Sequence, residues 1–249
     1  MFFSKKLIKH NISHCFFSRN RGFSKGIYKG LNCGIGSNDK RKLVLKNIEF
    51  TKSFLKIKKN NLKLMHQTHS SRIIKINKKN LGKYKFQSDG IISNFEGVAL
   101  GVLTADCVPL LIYDKIDKKI CVLHAGWKGI FKGIIEKGLK KFRKKNFKDL
   151  IVAIGPCISK KNYEVDYVLK LKFINQNKDY KKFFEQSGYK KFLFDLRSLV
   201  NFKLKKIGIK KIDNINLDTF TNSKNFFSHR RSKQLKEPDY GRCLSIISL

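Results

Sequence analysis

The sequence predicts a single domain, residues 1–249, of mixed α/β class, in which mixed β-sheets are flanked by helices. Three apolar runs over residues 98–103, 108–113 and 120–123 lie close together and have the length and composition of buried strands. Residues 130–142 carry apolar side chains at helical spacing, directly after a glycine-containing turn. A strand, a turn and a helix in this order form the β–α step that is typical of α/β proteins.

Weaker signals predict the other elements in chain order. Either Ser37 or Asn38 is suited to cap a helix that runs to about Leu55 with apolar residues on one face. A second helix is predicted to begin near Asp195. Further strands are predicted over residues 13–18, 72–76, 150–154 and 212–217. Because the chain has neither an internal repeat nor a Pro/Ser-rich linker, we expect one domain.

The composition indicates a globular protein. Hydrophobic residues make up 41% of the 249 residues and include 21 Phe, which excludes a disordered chain. No apolar stretch approaches the roughly 18 residues of a membrane span. The six cysteines show no C-x-x-C spacing, and the chain begins with no signal-peptide pattern. We therefore expect reduced cysteines and a cytoplasmic location.

The net charge of +37 raises the question of nucleic-acid binding, because basic residues that neutralise phosphates dominate such affinity. The basic residues are spread along the whole chain, and only nine of the 55 are arginine. This pattern is typical of a compositional preference for lysine at solvated positions. We expect loose electrostatic association at low salt and no specific nucleic-acid site.

Three of the nine arginines, Arg230, Arg231 and Arg242, fall within thirteen residues near the C-terminus. Since lysine serves at most other basic positions, an arginine here suggests a need for the planar guanidinium fork. The fork suits bidentate recognition of an anion such as phosphate. A surface salt bridge or a packing role accounts for the same residues equally well.

The polar residues that interrupt the apolar runs are candidates for chemistry. Cys107 and His124 stand at the ends of predicted core strands, where polar groups are costly unless they have partners. His66 and His69 precede another strand, and period-two alternation places them on opposite faces, so at most one faces a common site. His69, Cys107 and His124 form an ordinary three-ligand set for zinc with an open fourth position.

The same residues also suit three alternative roles. Cys107 and His124 alone suit a cysteine nucleophile with its base. A copper site of the His₂Cys type is a further alternative, although it needs a weak axial ligand and the chain has only Met1 and Met65. A purely structural role also remains open.

Several motifs, in order, resemble the YfiH family of laccase-domain proteins, a family first described as polyphenol oxidases and now regarded as purine nucleoside phosphorylases. The most specific are Thr-Ala-Asp-Cys at residues 104–107 and His-Ala-Gly-Trp-Lys-Gly at residues 124–129. The others are Gln-Thr-His ending at His69, Ser-Asp-Gly-Ile at residues 88–91, Gly-Pro-Cys at residues 155–157, Phe-Ser-His-Arg-Arg ending at Arg231 and Gly-Arg ending at Arg242.

The resemblance implies a metal site formed by His69, Cys107 and His124, and the chemistry of this donor set makes zinc the expected ion and copper the alternative. It implies phosphorolysis of adenosine, inosine and methylthioadenosine, with purine nucleosides and phosphate as the partners and adenosine deaminase as a side activity. Oxidation of phenols is interpreted as a copper-dependent side activity. The motifs indicate no particular oligomeric state.

Roles for individual residues follow as hypotheses. Phosphate would be held by Arg230, Arg231 or Arg242, and Cys107 and His124 would act in the reaction with the metal. Asp106, next to Cys107, would orient a histidine ligand, serve as general base or support the structure. Two residues depart from the family pattern: Arg21 stands where a glycine is common, and His229 stands where a tyrosine is common.

Overall fold

The computed structural model describes residues 1–58, 61–83 and 85–249. The strands are β1 Ser13–Phe16, β2 Leu62–His66, β3 Ile73–Lys75, β4 Lys85–Gln87, β5 Gly90–Ser93, β6 Ala99–Thr104, β7 Val108–Asp114, β8 Lys119–Ala125, β9 Ile151–Ile154, β10 Glu164–Asp166, β11 Phe184–Gly188, β12 Lys191–Phe194, β13 Lys211–Asn214 and β14 Cys243–Ser248. The helices are α1 Lys5–Ile8, α2 Arg41–Phe54, α3 Trp127–Phe131, α4 Ile134–Leu139, α5 Tyr167–Gln176, α6 Leu196–Ile207 and α7 His229–Gln234.

Within the described residues the strands form three sheets, which confirms the predicted mixed α/β class. A six-stranded sheet has the order β13-β9-β7-β8-β5-β3, and a five-stranded sheet has the order β1-β14-β6-β2-β4. Both contain parallel and antiparallel pairs. A smaller sheet has the order β10-β12-β11. The three predicted apolar runs are confirmed as β6, β7 and β8, with β6 in the five-stranded sheet and the other two in the six-stranded sheet.

The two large sheets pack face to face, and this packing accounts for runs that are apolar throughout. Leu111 and Val122 of the six-stranded sheet share a core with Leu100 and Val102 of the five-stranded sheet. Their neighbours along β7 and β8 point the other way and pack against α3, α4, α5 and α6. Because successive strand residues face opposite sides, a sheet buried on both faces needs apolar residues at almost every position. Helix α2 covers the outer face of the five-stranded sheet.

Two local predictions are wrong in detail. The amphipathic run 130–142 forms two short helices, because Gly133 adopts a left-handed backbone with φ of 81° and ends the first. Helix α2 begins at Arg41 after Lys40, without a side-chain cap. The Ser37 hydroxyl donates instead to the carbonyl of Gly34, so it satisfies the loop before the helix.

Strand β1 pairs with the last strand, β14, in one sheet. This pairing accords with one domain over residues 1–249, and those boundaries stay a prediction. All six cysteines are free thiols. Among the described residues, no helix has both the length and the apolar character needed to cross a membrane.

Candidate metal centre

The ends of strands from both large sheets bring His69, Cys107 and His124 together. In the antiparallel pair of β7 and β8, Val108 faces Ala125 and Pro109 faces His124, so Cys107 lies beside the end of β8. His69 follows β2 of the five-stranded sheet in a short loop. The ligand atoms of the three side chains all lie within 4.8 Å of one another, and Cys107 Sγ is 3.8 Å from His69 Nε2.

The loop that carries His69 is held by one buried carboxylate. His69 has a left-handed backbone with φ of 57°, a conformation that costs free energy for a residue other than glycine. The backbone N–H groups of Thr68, His69 and Ser70 donate to the carboxylate of Asp89, at 3.2, 3.0 and 2.7 Å, and the Ser70 hydroxyl adds a bond of 2.6 Å. These bonds offset the strain of the loop.

The same carboxylate orients the second histidine. His124 Nδ1 lies 2.8 Å from Asp89 Oδ1, so Nδ1 carries the proton that Asp89 accepts, and Nε2 is the nitrogen that would bind a metal after it loses its own proton. Of the three roles that the sequence left open for Asp106, the orienting role is not seen, since the Asp106 carboxylate accepts from Thr219, Ser228 and Arg230. Asp89 was not predicted, although a histidine ligand requires such a carboxylate or carbonyl partner.

Electrostatics within the trio favour the thiolate. Burial by itself would raise the pKa of the Cys107 thiol, but the charge and hydrogen bonds of His124 and His69 outweigh burial and lower it. Burial would lower the pKa of His124, and the neighbouring Cys107 and Asp89 raise it instead. Burial would also raise the pKa of the Asp89 carboxyl, which bonds from His124 and Ser70 hold well below its usual range. A thiolate is the form of cysteine that binds metals.

The donor set suits a four-coordinate metal ion, and its three ligand atoms lie within 4.8 Å of one another. In a tetrahedral zinc site with bonds of about 2.0–2.3 Å, ligand atoms lie roughly 3.3–3.8 Å apart. The separation between Cys107 Sγ and His69 Nε2 falls at the upper end of that range. Gly126 keeps the space open, because a Cβ there would lie 2.8 Å from Cys107 Sγ and 2.9 Å from His69 Cδ2.

We expect Gly126→Ala to lower the metal content of the purified protein by about tenfold or more, because the added methyl group displaces Cys107 or His69 from ligand geometry. Metal content per chain, measured by elemental mass spectrometry, checks this. Gly82→Ala is the matched control, since a Cβ at Gly82 meets no atom of the described residues within 4 Å. Equal metal content in both variants would show that the space beside Gly126 is not part of the site.

The trio lies where two lobes of a cleft meet. The first lobe, about 320 Å³, is lined by Met65, His66, Gln67 and Arg242, among others. The second lobe, about 220 Å³, is lined by Trp127, Tyr163, His229 and Arg230, among others. Both lobes are bounded by His69, Ala105, Cys107 and Tyr240. His66 therefore faces the cleft but does not join the trio, since it ends β2 while His69 lies in the following loop.

Two of the three C-terminal arginines reach the cleft, one in each lobe. The Arg230 guanidinium makes one hydrogen bond within the described residues, to the carbonyl of Glu164, and lies 5.4 Å from the centre of the Tyr163 ring. The Arg242 guanidinium stacks 4.3 Å from the centre of the Tyr240 ring and donates to the Tyr240 carbonyl. Both guanidinium groups keep donors for an anion.

Arg231 does not line either lobe. Its guanidinium donates to the backbone carbonyls of Thr219, Phe220 and Phe226, at 2.6 to 2.8 Å. Arg231 therefore uses the planar guanidinium that the sequence suggested, but it binds backbone carbonyls and not an anion. These bonds fix the chain segment before α7 to that helix. At the family's glycine position, Arg21 has a left-handed backbone with φ of 64°, which accounts for the preference for glycine there.

Comparisons with known proteins agree on one family. A family model described as multi-copper polyphenol oxidoreductase laccase matches residues 13–249. A Rickettsia conorii protein named purine nucleoside phosphorylase is 37% identical over 185 residues, which are 74% of this chain and 76% of the relative. Purine nucleoside phosphorylase YfiH of Escherichia coli is 28% identical, with 96% of this chain and 94% of the relative covered.

A solved structure shares the fold. The hypothetical protein YfiH of Bacillus licheniformis superposes with a TM-score of 0.87 and 28% identity, over 96% of this chain and 93% of that one. The resemblance predicted from the sequence motifs is confirmed. This chain belongs to the YfiH family of laccase-like domain proteins.

Proposed function

We propose that this protein is a metal-dependent purine nucleoside phosphorylase. It would cleave adenosine, inosine and methylthioadenosine with phosphate to the free base and the sugar 1-phosphate, and deaminate adenosine as a side activity. The observation that carries the proposal is the His–Cys–His trio at the junction of two lobes, each with an arginine. The names of the relatives from Rickettsia conorii and Escherichia coli support it.

Zinc is the proposed ion, held by His69 Nε2, Cys107 Sγ and His124 Nε2, with copper as the alternative. One thiolate and two neutral imidazoles suit zinc, and these three residues would hold it beside the cleft. When bound, the metal supplies Lewis-acid polarisation to the substrate. Asp89 holds the proton on His124 Nδ1, and the Asp89-bound loop keeps His69 in place.

The two lobes suggest how the substrates are arranged. Arg230 makes the second lobe the proposed site for phosphate, and the larger first lobe is left for the nucleoside. In phosphorolysis a phosphate oxygen forms a bond to C1′ while the bond from C1′ to the purine nitrogen breaks, and the purine takes the electron pair and a proton. Arg230 would hold the anion with parallel hydrogen bonds so that its oxygen faces the sugar.

The direct test incubates the purified protein with adenosine, with and without phosphate, and separates the products. Adenine and ribose 1-phosphate are expected only when phosphate is present, whereas inosine from deamination forms without phosphate. Removal of the metal with a chelator should abolish phosphorolysis, and added zinc should restore it. Adenine released at the same rate without phosphate would contradict a phosphorylase.

Replacing Arg230 with lysine is expected to raise the apparent KM for phosphate by about tenfold, because a point charge loses the second parallel hydrogen bond. Deamination, which uses water, should change much less. Arg242→Lys is compared in the same assays, since Arg242 lines the other lobe. Arg231→Lys should lower the unfolding temperature without a selective effect on phosphate. If neither Arg230→Lys nor Arg242→Lys impairs phosphorolysis selectively, phosphate binds elsewhere.

A cysteine hydrolase is a second candidate, because the lowered pKa of Cys107 also suits a nucleophile. The two candidates differ in the state of the thiol. One tightly held zinc per chain leaves Cys107 unreactive toward iodoacetamide, and the chelated protein becomes reactive. A metal-free protein as purified, with a rapidly alkylated Cys107, would favour the hydrolase.

A copper-dependent polyphenol oxidase is a third candidate, favoured by the description of the family model. Within residues 1–58, 61–83 and 85–249, one cluster of three His, Cys, Asp or Glu ligands is present, which does not suit several copper ions. Of the two methionines, Met65 lines the first lobe. Oxygen consumption with a phenol and added copper separates this activity from phosphorolysis.

A cytoplasmic location is part of the proposal, because free thiols persist in reducing compartments. No nucleic-acid partner is proposed, and the absence of a specific site stays a prediction.

A further inference from the structure

Asp106 links the candidate metal centre to helix α7, which carries Arg230. It lies directly before Cys107 and has a left-handed backbone with φ of 88°, which disfavours any residue except glycine, asparagine and aspartate. Its side chain is buried, with 7% of its surface exposed. A strained backbone conformation beside a reactive residue persists only when surrounding bonds hold it.

Within the part of the chain that the structure describes, three donors hold the Asp106 carboxylate, and all come from the C-terminal segment. Oδ1 accepts from the Thr219 hydroxyl at 2.7 Å. Oδ2 accepts from the Ser228 hydroxyl at 3.0 Å and from the backbone N–H of Arg230 at 2.7 Å. A carboxylate has about four acceptor positions, so these bonds occupy most of them.

Two of these donors belong to the first turn of α7. Ser228 is the N-cap of α7, and its hydroxyl also accepts from the backbone N–H of Arg231 at 3.1 Å. The backbone of Arg230 is fixed by Asp106, and its guanidinium is fixed by the Glu164 carbonyl and the Tyr163 ring. Arg230 is thus held at both ends, with the Asp106 bond at the end nearer the metal centre.

We propose that Asp106 is a positioning residue: its carboxylate sets the distance between Cys107 and Arg230, and so between metal and phosphate, without accepting a proton from the substrate. This inference rests on the proposed phosphorylase function and assigns a role within the same site. It replaces the general-base role that the sequence left open for Asp106.

The hydrogen-bond pattern lets one substitution separate the two roles. In Asp106→Asn, the amide oxygen can take the place of Oδ2 and accept from Ser228 and Arg230. The amide nitrogen then faces the Thr219 hydroxyl, which turns round and accepts instead of donating. Asparagine also tolerates a positive φ. The variant therefore keeps the hydrogen bonds to Thr219, Ser228 and Arg230 and loses only the carboxylate that could accept a proton.

The test compares wild type, Asp106→Asn, Asp106→Ala and Thr219→Val in phosphorolysis of adenosine. We expect Asp106→Asn to stay within about fivefold of wild type, because a positioning role survives as an amide. Asp106→Ala should raise the KM for phosphate by about tenfold or more, and Thr219→Val by a few fold, while the KM for adenosine changes little. Thr221→Val is the matched control, because its hydroxyl bonds Asp218 and not Asp106.

Metal content, unfolding temperature and phosphate binding without turnover are measured in parallel, so that a folding defect is not mistaken for a kinetic one. If Asp106→Ala is too unstable to assay, Thr219→Val against Thr221→Val tests the same bracing. A loss of about 100-fold or more in kcat for Asp106→Asn, with an unchanged KM for phosphate, would identify a proton acceptor and overturn the proposal. An unchanged KM for phosphate in both Asp106→Ala and Thr219→Val would also overturn it. A wild type without phosphorolysis would instead refute the proposed function itself, and the inference with it.

Discussion

Cys107→Ala is expected to remove nearly all bound metal and to abolish phosphorolysis. The thiolate is the one anionic ligand of the trio, and the neighbouring histidines already favour its ionised form. Alanine leaves two imidazoles, one from the loop after β2 and one from β8, which hold zinc much more weakly than a full three-ligand set. Metal content per chain after gel filtration, measured by elemental mass spectrometry, gives the result directly.

His66→Ala provides the comparison for this experiment. His66 faces the first lobe but lies outside the trio, so its loss should leave metal content close to that of wild type. Stoichiometric metal in Cys107→Ala would mean that the ion binds elsewhere. Equal metal loss in both variants would mean that His66, and not His69, completes the site.

The central strands were predictable because burial on both faces requires an apolar residue at nearly every position of the strand. Residues 108–113 and 120–123 contain hardly any polar side chain, and they form the middle of the six-stranded sheet. The strands of the small sheet, β10, β12 and β11, have no such continuous apolar run. Its strands are short, and Glu164 and Asp166 of β10 are exposed on either side of one buried valine.

The residues proposed as metal ligands could be partly singled out from the sequence for a related reason. Cys107 and His124 break apolar runs, and a costly polar residue at a strand end suggests a partner. The separation of His69 from His66 was predicted from strand alternation, but it arises because His69 leaves the strand for a left-handed loop position. Sequence spacing cannot show that a carboxylate twenty residues away, Asp89, holds that loop.

The arginines illustrate what residue type can and cannot indicate. A chain that prefers lysine does use arginine where the fork is needed, since Arg231 donates to three backbone carbonyls. The identity of the acceptor depends on which backbone groups fold nearby. Only the tertiary structure separates Arg231 from Arg230 and Arg242, which face the cleft.

Asp89→Asn is expected to lower zinc affinity by about 10- to 100-fold and to destabilise the protein by roughly 1–3 kcal/mol. Oδ1 accepts from His69 N and His124 Nδ1, and Oδ2 accepts from Thr68 N, Ser70 N and the Ser70 hydroxyl. An amide cannot satisfy this set in either orientation, because its nitrogen always faces a backbone N–H. If the amide nitrogen faces His124, it donates to Nδ1, and His124 can accept that bond only as the tautomer with its proton on Nε2. In that tautomer Nε2 has no lone pair with which to bind the metal.

Zinc affinity by competition with a chromophoric chelator, together with the unfolding temperature, measures both effects. Asp114→Asn is the matched control, since Asp114 is equally buried but lies at the opposite end of β7 from Cys107. It should change stability without changing zinc affinity. If Asp89→Asn lowers the unfolding temperature but binds zinc as tightly as wild type, Asp89 only braces the loop and does not orient His124. Because Asp106 faces a hydroxyl that can reverse its bond and Asp89 faces backbone donors that cannot, the same Asp-to-Asn change should be tolerated at Asp106 and damaging at Asp89.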